Sequence, residues 1–276
     1  MGLSARSLGY TYGHGTRFAV EALRGVDLDV EAGELVLVTG TTGSGKSTLL
    51  RLLAGLLEPT TGAISADGAP VSGREARGRV AIVFQNSESQ FFAESVLDDV
   101  AFGPRNLGAP DPSVMAEQAL RAVGLDPAVF GDRSPFLLSG GEARRVAIAG
   151  ALAMGAPYLL LDEPTTGLDA RGRADVRGVI ARERTRAGVV VVTHDPEEFL
   201  GAADRLLALK AGAPVFAGDA ERLYESRSAY ESVGLRLPEI VLVQLHARER
   251  GLPVAPITLD PAPVADALAD WRRVPR

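Results

Sequence analysis

The chain contains no cysteine and no apolar run long enough to cross a membrane. Without cysteine, neither a disulfide framework nor a thiolate metal site can form. The longest uncharged run extends from Val146 to Leu161, which is shorter than the roughly 20 residues of a membrane-spanning helix. Gly150, Gly155 and Pro157 interrupt this run. We therefore predict a core helix, a turn and a core strand here.

An excess of positive charge is also missing, because 29 Lys and Arg residues stand against 35 Asp and Glu residues. Domains that bind nucleic acid usually present a basic face, so this balance disfavours a nucleic-acid partner. The N-terminus has no basic-then-apolar signal, and Arg6 stands where a myristoylation motif needs Ser or Thr. We expect a soluble chain whose 276 residues form one large domain, or one domain with a small appendage.

The most specific motif is a glycine-rich stretch, Gly40-Thr41-Thr42-Gly43-Ser44-Gly45-Lys46-Ser47-Thr48. Residues 35–38 before it are apolar, as in a buried parallel strand, and residues 49–54 after it favour a helix. Strand, glycine loop and helix form the context that the G-x-x-x-x-G-K-[ST] pattern requires of a phosphate-binding loop. An ordinary glycine-rich turn is the alternative, and the lysine and hydroxyl disfavour it. The stretch predicts nucleotide binding.

Each residue type in this loop has a chemical reason. Gly43 and Gly45 let the backbone curl so that successive N–H groups point at one anion, and the next helix adds its positive end. Lys46 would reach the β- and γ-phosphates, and the Ser47 hydroxyl would ligate Mg²⁺.

The segments around this loop favour strands. Residues 8–12 and 22–30 alternate as in an antiparallel sheet that leads into the first parallel strand. Residues 63–65 and 80–84 also favour strands, and Gln85 follows the second of these. On periodicity alone, Tyr12 is a strand aromatic.

Between residue 86 and about residue 155 the pattern changes to helices. The clearest helical segments are residues 95–102, 113–123 and 142–153, which predict a helical insertion between strands of one sheet. Inside it, Leu138-Ser139-Gly140-Gly141-Glu142 precedes a helix. Ser-Gly-Gly at a helix start predicts a second anion-binding surface, and an ordinary helix cap is the alternative.

Two further strands end in polar residues. Tyr158-Leu159-Leu160-Leu161-Asp162-Glu163 is a buried strand that brings two carboxylates to the edge where α/β proteins bind ligands. We expect Asp162 to hold Mg²⁺ and Glu163 to polarise an attacking water. Residues 189–193 form another buried strand that ends at His194. We favour a γ-phosphate contact for His194 over a structural role.

The end of the sheet domain is predicted at the turn formed by residues 211–214. Short helical pieces in the remainder are separated by Pro238, Pro253, Pro256, Pro261 and Pro263, and residues 240–245 are apolar apart from Gln244. We therefore predict a small appended region and not a disordered tail.

Taken together, these motifs resemble the full set of an ABC-type ATPase cassette in the family order. Residues 40–48 match its Walker A loop, Gln85 its Q-loop, residues 138–142 its signature motif and residues 161–164 its Walker B strand. Residues 167–169 match its D-loop, and His194 matches its switch histidine. The resemblance covers residues 3 to about 212.

The resemblance implies an α/β fold: a P-loop ATPase sheet with an N-terminal antiparallel β subdomain, a helical insertion and a C-terminal extension. The cassette would span residues 1–212, the insertion about 86–155, and residues 213–276 would form a dimerisation extension. The implied catalytic residues are Glu163, His194 and Gln85. The implied Mg²⁺ ligands are Ser47, Gln85 and Asp162. The implied ATP-binding residues are Tyr12, which would stack on adenine, residues 40–48, Ser139, Gly140, Gly141 and Asp169.

The family also implies a paired arrangement. Two cassettes pair head to tail, so that Ser139 of one faces the ATP held by Lys46 of the other. That pairing explains why one chain carries two phosphate-seeking helix ends. ATP closes the pair, hydrolysis releases it, and the cycle drives a membrane partner.

A finer resemblance lies in residues 84–96 and 99–108, which are similar to the cassettes of energy-coupling factor transporters. These import vitamins or cobalt and nickel ions. The group implies three kinds of partner: a second cassette, either the same chain or a paralogue, an integral membrane coupling subunit and a substrate-binding membrane subunit. It places the cassette peripherally on the cytoplasmic face of the cell membrane. Residues 234–238 also resemble the extension that helps to pair the group's cassettes.

Two departures and three alternatives accompany this interpretation. Ser87 stands where the group usually has proline, and Thr166-Gly167 replace the Ser-Ala common in other cassettes. The cassette of another ABC importer or exporter is one alternative. A nucleic-acid-associated ATPase is disfavoured, since Lys46 and Ser139 lie too close in sequence to enclose a long coiled coil. Glu163 argues against a non-catalytic regulatory cassette.

A pair of aromatics follows Gln85. Phe91 and Phe92 adjoin the helical insertion, and rings of this size are costly to leave in water. Either both pack beneath the insertion, or at least one lines a groove that receives a short helix of the membrane subunit.

Overall fold

A computed structural model of the chain describes residues 2–73, 76–224, 230, 237–252 and 257–272. Its strands, in chain order, are β1 Gly2–Tyr12, β2 Val20–Glu31, β3 Leu35–Gly40, β4 Thr61–Ala66, β5 Ala69–Pro70, β6 Val80–Val83, β7 Tyr158–Asp162, β8 Gly188–Val192, β9 Arg205–Lys210 and β10 Ala213–Asp219.

The helices lie between and after these strands, and four of them follow one another between β6 and β7. In chain order they are α1 Lys46–Leu53, α2 Val96–Asn106, α3 Pro112–Ala122, α4 Pro127–Phe130, α5 Gly140–Ala153, α6 Ala170–Glu183, α7 Glu197–Leu200, α8 Ala220–Tyr224, α9 Glu239–Glu249 and α10 Pro261–Arg272. Two short 3₁₀ turns, Ser87–Gln90 and Pro135–Leu137, lie in the helical insertion.

The strands form two sheets. A four-stranded antiparallel sheet has the order β2-β1-β4-β5. A six-stranded sheet has the order β10-β9-β3-β8-β7-β6, and its strands are parallel from β9 to β6. Since parallel strands end together at one edge, the ends of β3, β6, β7 and β8 lie side by side, and the predicted site residues follow them.

Strand β3 separates two cores. Leu35 and Leu37 pack into the core under the helical insertion, whereas Val36 and Val38 pack into the core that also holds α1 and the antiparallel sheet. Both faces of β3, β7 and β8 are buried, which explains their uninterrupted apolar sequences. The α/β fold with an antiparallel subdomain is confirmed.

The helical insertion is confirmed as well. Its three predicted helices are α2, α3 and α5, which pack against one another. Ser95 caps α2 by accepting a hydrogen bond from the Asp98 N–H, so the helix begins one residue later than predicted. Helix α5 begins at Gly140, two residues earlier than predicted.

The prediction that the turn at residues 211–214 ends the sheet is wrong. Strand β10 pairs antiparallel with β9 from Ala213 to Asp219, on the edge of the six-stranded sheet. Its residues are exposed or half-buried, as on an edge strand, and Pro214 and Gly218 obscure the strand pattern in its sequence. The boundary between the cassette and its extension stays a prediction.

In the C-terminal part, a side-chain amide joins two segments through hydrogen bonds. Gln244 on α9 is fully buried and exchanges hydrogen bonds with the backbone N–H and carbonyl of Thr258, at 2.9 and 2.6 Å. The described tail residues therefore hold a defined structure. Residues 234–236 of the predicted pairing segment lie outside the described residues. Within the described ranges, no helix is both long and apolar enough to span a membrane.

Candidate active site

The loop between β3 and α1 requires glycine for steric reasons. Gly40 has φ 147° and Gly45 has φ 101°, both unfavourable for other residues. A Cβ on Gly40 would lie 2.2 Å from the Leu209 carbonyl oxygen, and one on Gly45 would lie 2.6 Å from the Ala22 carbonyl oxygen. The loop is therefore packed tightly against neighbouring strands.

Lys46 closes this loop. Its Nζ donates hydrogen bonds to the carbonyls of Gly40 and Thr41, at 2.7 and 3.1 Å. Burial lowers the pKa of the Lys46 ammonium, while the nearby carboxylates of Glu163 and Asp162 act in the opposite direction. Since an ammonium has three donors, the group can bridge loop carbonyls and an incoming anion.

Two buried carboxylates lie opposite Lys46. Asp162 is the last residue of β7, Glu163 follows it, and their exposed fractions are 5% and 6%. Burial raises the pKa of Asp162, and a hydrogen bond from Ser47 together with the Lys46 charge opposes this rise. The Ser47 hydroxyl thus lies directly against the Asp162 carboxylate.

Glu163 is held in a strained backbone conformation. Its φ is 52°, uncommon for a residue with a side chain, and such strain is concentrated at functional sites. Its Oε1 lies 2.9 Å from the backbone N of His194 and 2.8 Å from the ring Nδ1. Its Oε2 accepts hydrogen bonds from the hydroxyls of Thr166 and Thr193, at 3.1 and 3.2 Å. Four contacts therefore fix the direction of the carboxylate.

These groups share one cavity of about 510 Å³. The Tyr12 hydroxyl is hydrogen-bonded to Thr48 Oγ1 at 3.1 Å, which places the ring at the edge of the phosphate loop. His194 projects from the end of β8 with 63% of its side chain exposed. The predicted site residues that line the cavity are Tyr12, Thr42, Gly43, Gly45, Lys46, Ser47, Thr48, Gln85, Asp162, Glu163 and His194.

Gly40, Thr41 and Ser44 belong to the same loop without lining the cavity, and the remaining predicted residues lie elsewhere. Ser139, Gly141 and Asp169 line a second cavity, of about 820 Å³, between α5 and α6, together with Arg145. Within one chain, the signature residues and the phosphate loop therefore line different cavities. Gly140 is the first residue of α5.

Ser139 is an ordinary helix cap as well as a candidate anion ligand. Its Oγ accepts a hydrogen bond from the Glu142 N–H at 3.4 Å, and its backbone N–H donates to Glu142 Oε2 at 2.8 Å, which forms a capping box. The backbone N–H and the hydroxyl of Ser139 both donate to Glu142 Oε2, and these two hydrogen bonds lower the pKa of Glu142. The cap stabilises the start of α5 and still leaves room for a ligand there.

Sequence reasoning missed a buried arginine that holds the segment before Gln85. Arg144 on α5 has an exposed fraction of 6%, and it donates to the backbone carbonyls of Phe84, at 2.8 Å, and of Gln85. Arg144 and Arg145 are adjacent near the start of α5, and nothing in the sequence marks one of them as buried. Phe91 is buried in the core, and Phe92 is 56% exposed.

Comparisons with known proteins show the family of this chain. The family model described as ABC transporter matches residues 23–166. The energy-coupling factor transporter ATP-binding protein EcfA2 of Symbiobacterium thermophilum is 44% identical over 94% of this chain and 93% of that protein.

Two solved structures have similar folds. CbiO1 from Clostridium perfringens, part of the ABC transporter complex cbiONQ, has a TM-score of 0.71 and 32% identity, covering 88% of this chain and 98% of that one. MJ0796, a bacterial ABC transporter cassette solved as a dimer, has a TM-score of 0.71 and 28% identity, covering 79% and 98%. MJ0796 is also known in a dimeric post-hydrolysis state bound to ADP and Pi.

Proposed function

This chain belongs to the ABC transporter family and is an ATP-hydrolysing subunit of the energy-coupling factor type, and we propose that it powers uptake of a vitamin or a transition-metal ion. The observation that carries the catalytic part is the placement of Glu163. Its carboxylate follows Asp162 directly, shares a cavity with Lys46 and is oriented by His194. A buried carboxylate that is held by four contacts beside a phosphate loop is suited to accept a proton from an attacking water.

In the proposed reaction, ATP lies with its triphosphate in the loop of residues 40–48 and its adenine on Tyr12. Lys46 extends one donor from the loop carbonyls to the β- and γ-phosphates. Glu163 takes a proton from the water that attacks the γ-phosphorus, while the bond from that phosphorus to the β–γ bridging oxygen breaks and ADP leaves with the electron pair. His194 contacts the γ-phosphate from the end of β8. Because Thr166 and Thr193 saturate one carboxylate oxygen, we assign the proton to Oε1 once His194 turns toward the phosphate.

The oxygen donors suit Mg²⁺. Ser47 touches Asp162, and Gln85 lines the same cavity, so all three side chains offer hard oxygen atoms. Among the described residues, no group of three or more His, Asp and Glu gathers to form an all-protein metal cage. That composition suits a cation that takes few protein ligands and shares the phosphates. When bound, Mg²⁺ neutralises charge on the β- and γ-phosphates.

We propose that a second cassette completes each site. The capped start of α5 and Asp169 lie in a cavity that Lys46 does not line, so they are available to a nucleotide held by another chain. The dimeric structures of MJ0796 support this arrangement. The partner is either a second copy of this chain or a paralogue.

A docking place for the membrane subunit is proposed at an apolar groove of about 950 Å³ beside the helical insertion. Phe102 and Leu107 of the α2 region and Leu56 after α1 line it and are at least 40% exposed. Phe92 packs edge-on against Phe102 with ring centroids 4.4 Å apart. An amphipathic helix from the coupling subunit would bury these rings, on the cytoplasmic face of the membrane.

Purification of the tagged chain from its own membranes tests this function. We expect a second cassette, a transmembrane coupling subunit and a small substrate-binding membrane subunit to co-purify. A pair of ordinary permease subunits in their place would favour another ABC importer or exporter. Uptake assays in vesicles with candidate vitamins and metal ions would then identify the substrate.

A further inference from the structure

Glu198 joins the helix after the switch histidine to the loop of residues 165–169, which contains the D-loop. It lies on α7, four residues after His194, and only 13% of its side chain is exposed. Its Oε2 accepts a hydrogen bond from the Thr165 hydroxyl at 2.6 Å, and Thr165 is itself buried. The buried neighbours Phe199 and Leu200 fix α7 to the core. The hydrogen bond between Glu198 and Thr165 therefore connects helix α7 to the loop that follows Glu163, and both are packed against the core.

The other oxygen of Glu198 faces α6. Arg177 donates to Oε1 at 3.3 Å, and Arg173 Nε lies 3.9 Å from the same atom. Arg173 also donates to the carbonyl of Leu168, at 3.2 Å. Glu198 is thus attached to the loop of residues 165–169 at its first residue and, through Arg173, near its last.

The same loop holds the proposed general base. Thr166 donates to Glu163 Oε2, while Thr193 and the His194 N–H donate to the carboxylate from the other side. The hydrogen bonds close a ring that runs from His194 through Glu163 and the 165–169 loop to Glu198, and back along the chain. Glu198 closes this ring without entering the nucleotide cavity.

We infer that Glu198 is a positioning residue for ATP hydrolysis. By fixing the 165–169 loop against the switch segment, it sets the direction of the Glu163 carboxylate in one cavity. It also sets the position of Asp169 at the other. The inference deepens the proposed function and rests on Glu163 acting as the base.

The Thr165 hydroxyl contact carries this role, because Arg173 and Arg177 are each 47% exposed and water screens their charges. Glu198→Gln keeps an oxygen that accepts from Thr165 and loses the charge and the oxygen that faces Arg177. Glu198→Ala removes the contact from one side, and Thr165→Val removes it from the other with little change in volume. Glu197→Ala, an exposed carboxylate on the same helix, is the matched control.

The test measures kcat, KM and ATP binding for these variants in the assembled transporter. We expect Glu198→Ala and Thr165→Val to lower kcat about 10- to 100-fold with unchanged ATP binding, since small misplacements of a catalytic group have effects of this size. The double variant should match either single variant, because both remove one contact. Glu198→Gln and Glu197→Ala should resemble the wild type.

Full activity of Thr165→Val, or additive losses in the double variant, would overturn the inference. Those two measurements decide the matter even where Glu198→Ala does not fold. Glu163→Gln is assayed alongside. If it hydrolyses ATP normally, the proposed function itself is wrong, whereas an inactive Glu163→Gln with a normal Thr165→Val removes only the role of Glu198.

Discussion

At the scale of single residues, the site depends on two adjacent carboxylates with different surroundings. Asp162 faces the Ser47 hydroxyl and Lys46, which suits a cation ligand. Glu163 accepts hydrogen bonds from the Thr166 and Thr193 hydroxyls and the His194 backbone N–H, and it also contacts the His194 ring, which suits a directed base. The positive φ of Glu163 turns the chain so that consecutive residues serve these two purposes.

The burial of Asp162 leads to a prediction about stability. Burial raises its pKa, so at neutral pH the charged carboxylate costs folding free energy in the nucleotide-free chain. That cost diminishes as the pH falls and the folded chain binds a proton. We expect Asp162→Asn to raise the Tm of nucleotide-free protein by about 2–4 °C, equivalent to roughly 1 kcal/mol, with a smaller gain at acidic pH.

Thermal unfolding without nucleotide, with ATP and with Mg²⁺–ATP tests the predicted Tm and the assignment of Asp162 to Mg²⁺. ATP raises the Tm of the protein, and the variant should lose the further rise that Mg²⁺ gives. Asp111→Asn, at an exposed helix start, is the control. A lower Tm for Asp162→Asn, or an undiminished Mg²⁺ effect, would count against the assignment of Asp162.

At the scale of elements, the sequence predicts the strands that are buried on both faces and the loop that carries a glycine motif. Strands β3, β7 and β8 and the loop before α1 follow from apolar runs and glycine spacing. Edge strand β10 does not, because its exposed residues carry no apolar periodicity. The ring through Glu198 is also beyond sequence reasoning, since its members lie about 30 positions apart and meet only when the strands align.

Phe91 and Phe92 have different surroundings, so their substitution should affect folding in one case and docking in the other. Phe91 lies in the core, so Phe91→Ala should cost about 3–5 kcal/mol of folding free energy. Phe92 is exposed beside Phe102, so Phe92→Ala should keep its Tm and ATP binding while losing membrane-subunit binding and transport. Unfolding curves, pull-down and vesicle uptake measure these effects. Normal transport by Phe92→Ala would remove this ring from the coupling path.

At the scale of the whole molecule, the proposed pairing assigns the two cavities of the chain to different nucleotides. Lys46→Ala should abolish ATP binding in its own cavity, whereas Ser139→Arg should spare binding and block closure of the pair. If two identical chains pair, mixing the inactive variants yields hybrids with one intact site. An equal mixture should then recover about a quarter of the wild-type ATPase rate, given independent sites in a two-fold dimer.

Steady-state ATPase assays of each variant and of the mixture measure this recovery. Full activity of Ser139→Arg alone would contradict sharing of the site between chains. A rate of wild-type hydrolysis per chain that does not change on dilution to monomers would do the same.

The most direct measurement is ATP hydrolysis by the assembled transporter carrying Glu163→Gln. The glutamine keeps the size of the side chain and cannot accept the proton from water. We expect retained ATP binding, a pair of cassettes locked in the ATP-bound state, and a loss of turnover of about 10²–10⁴-fold. Hydrolysis and uptake near the wild-type rate, with ATP bound normally, would show that Glu163 is not the base.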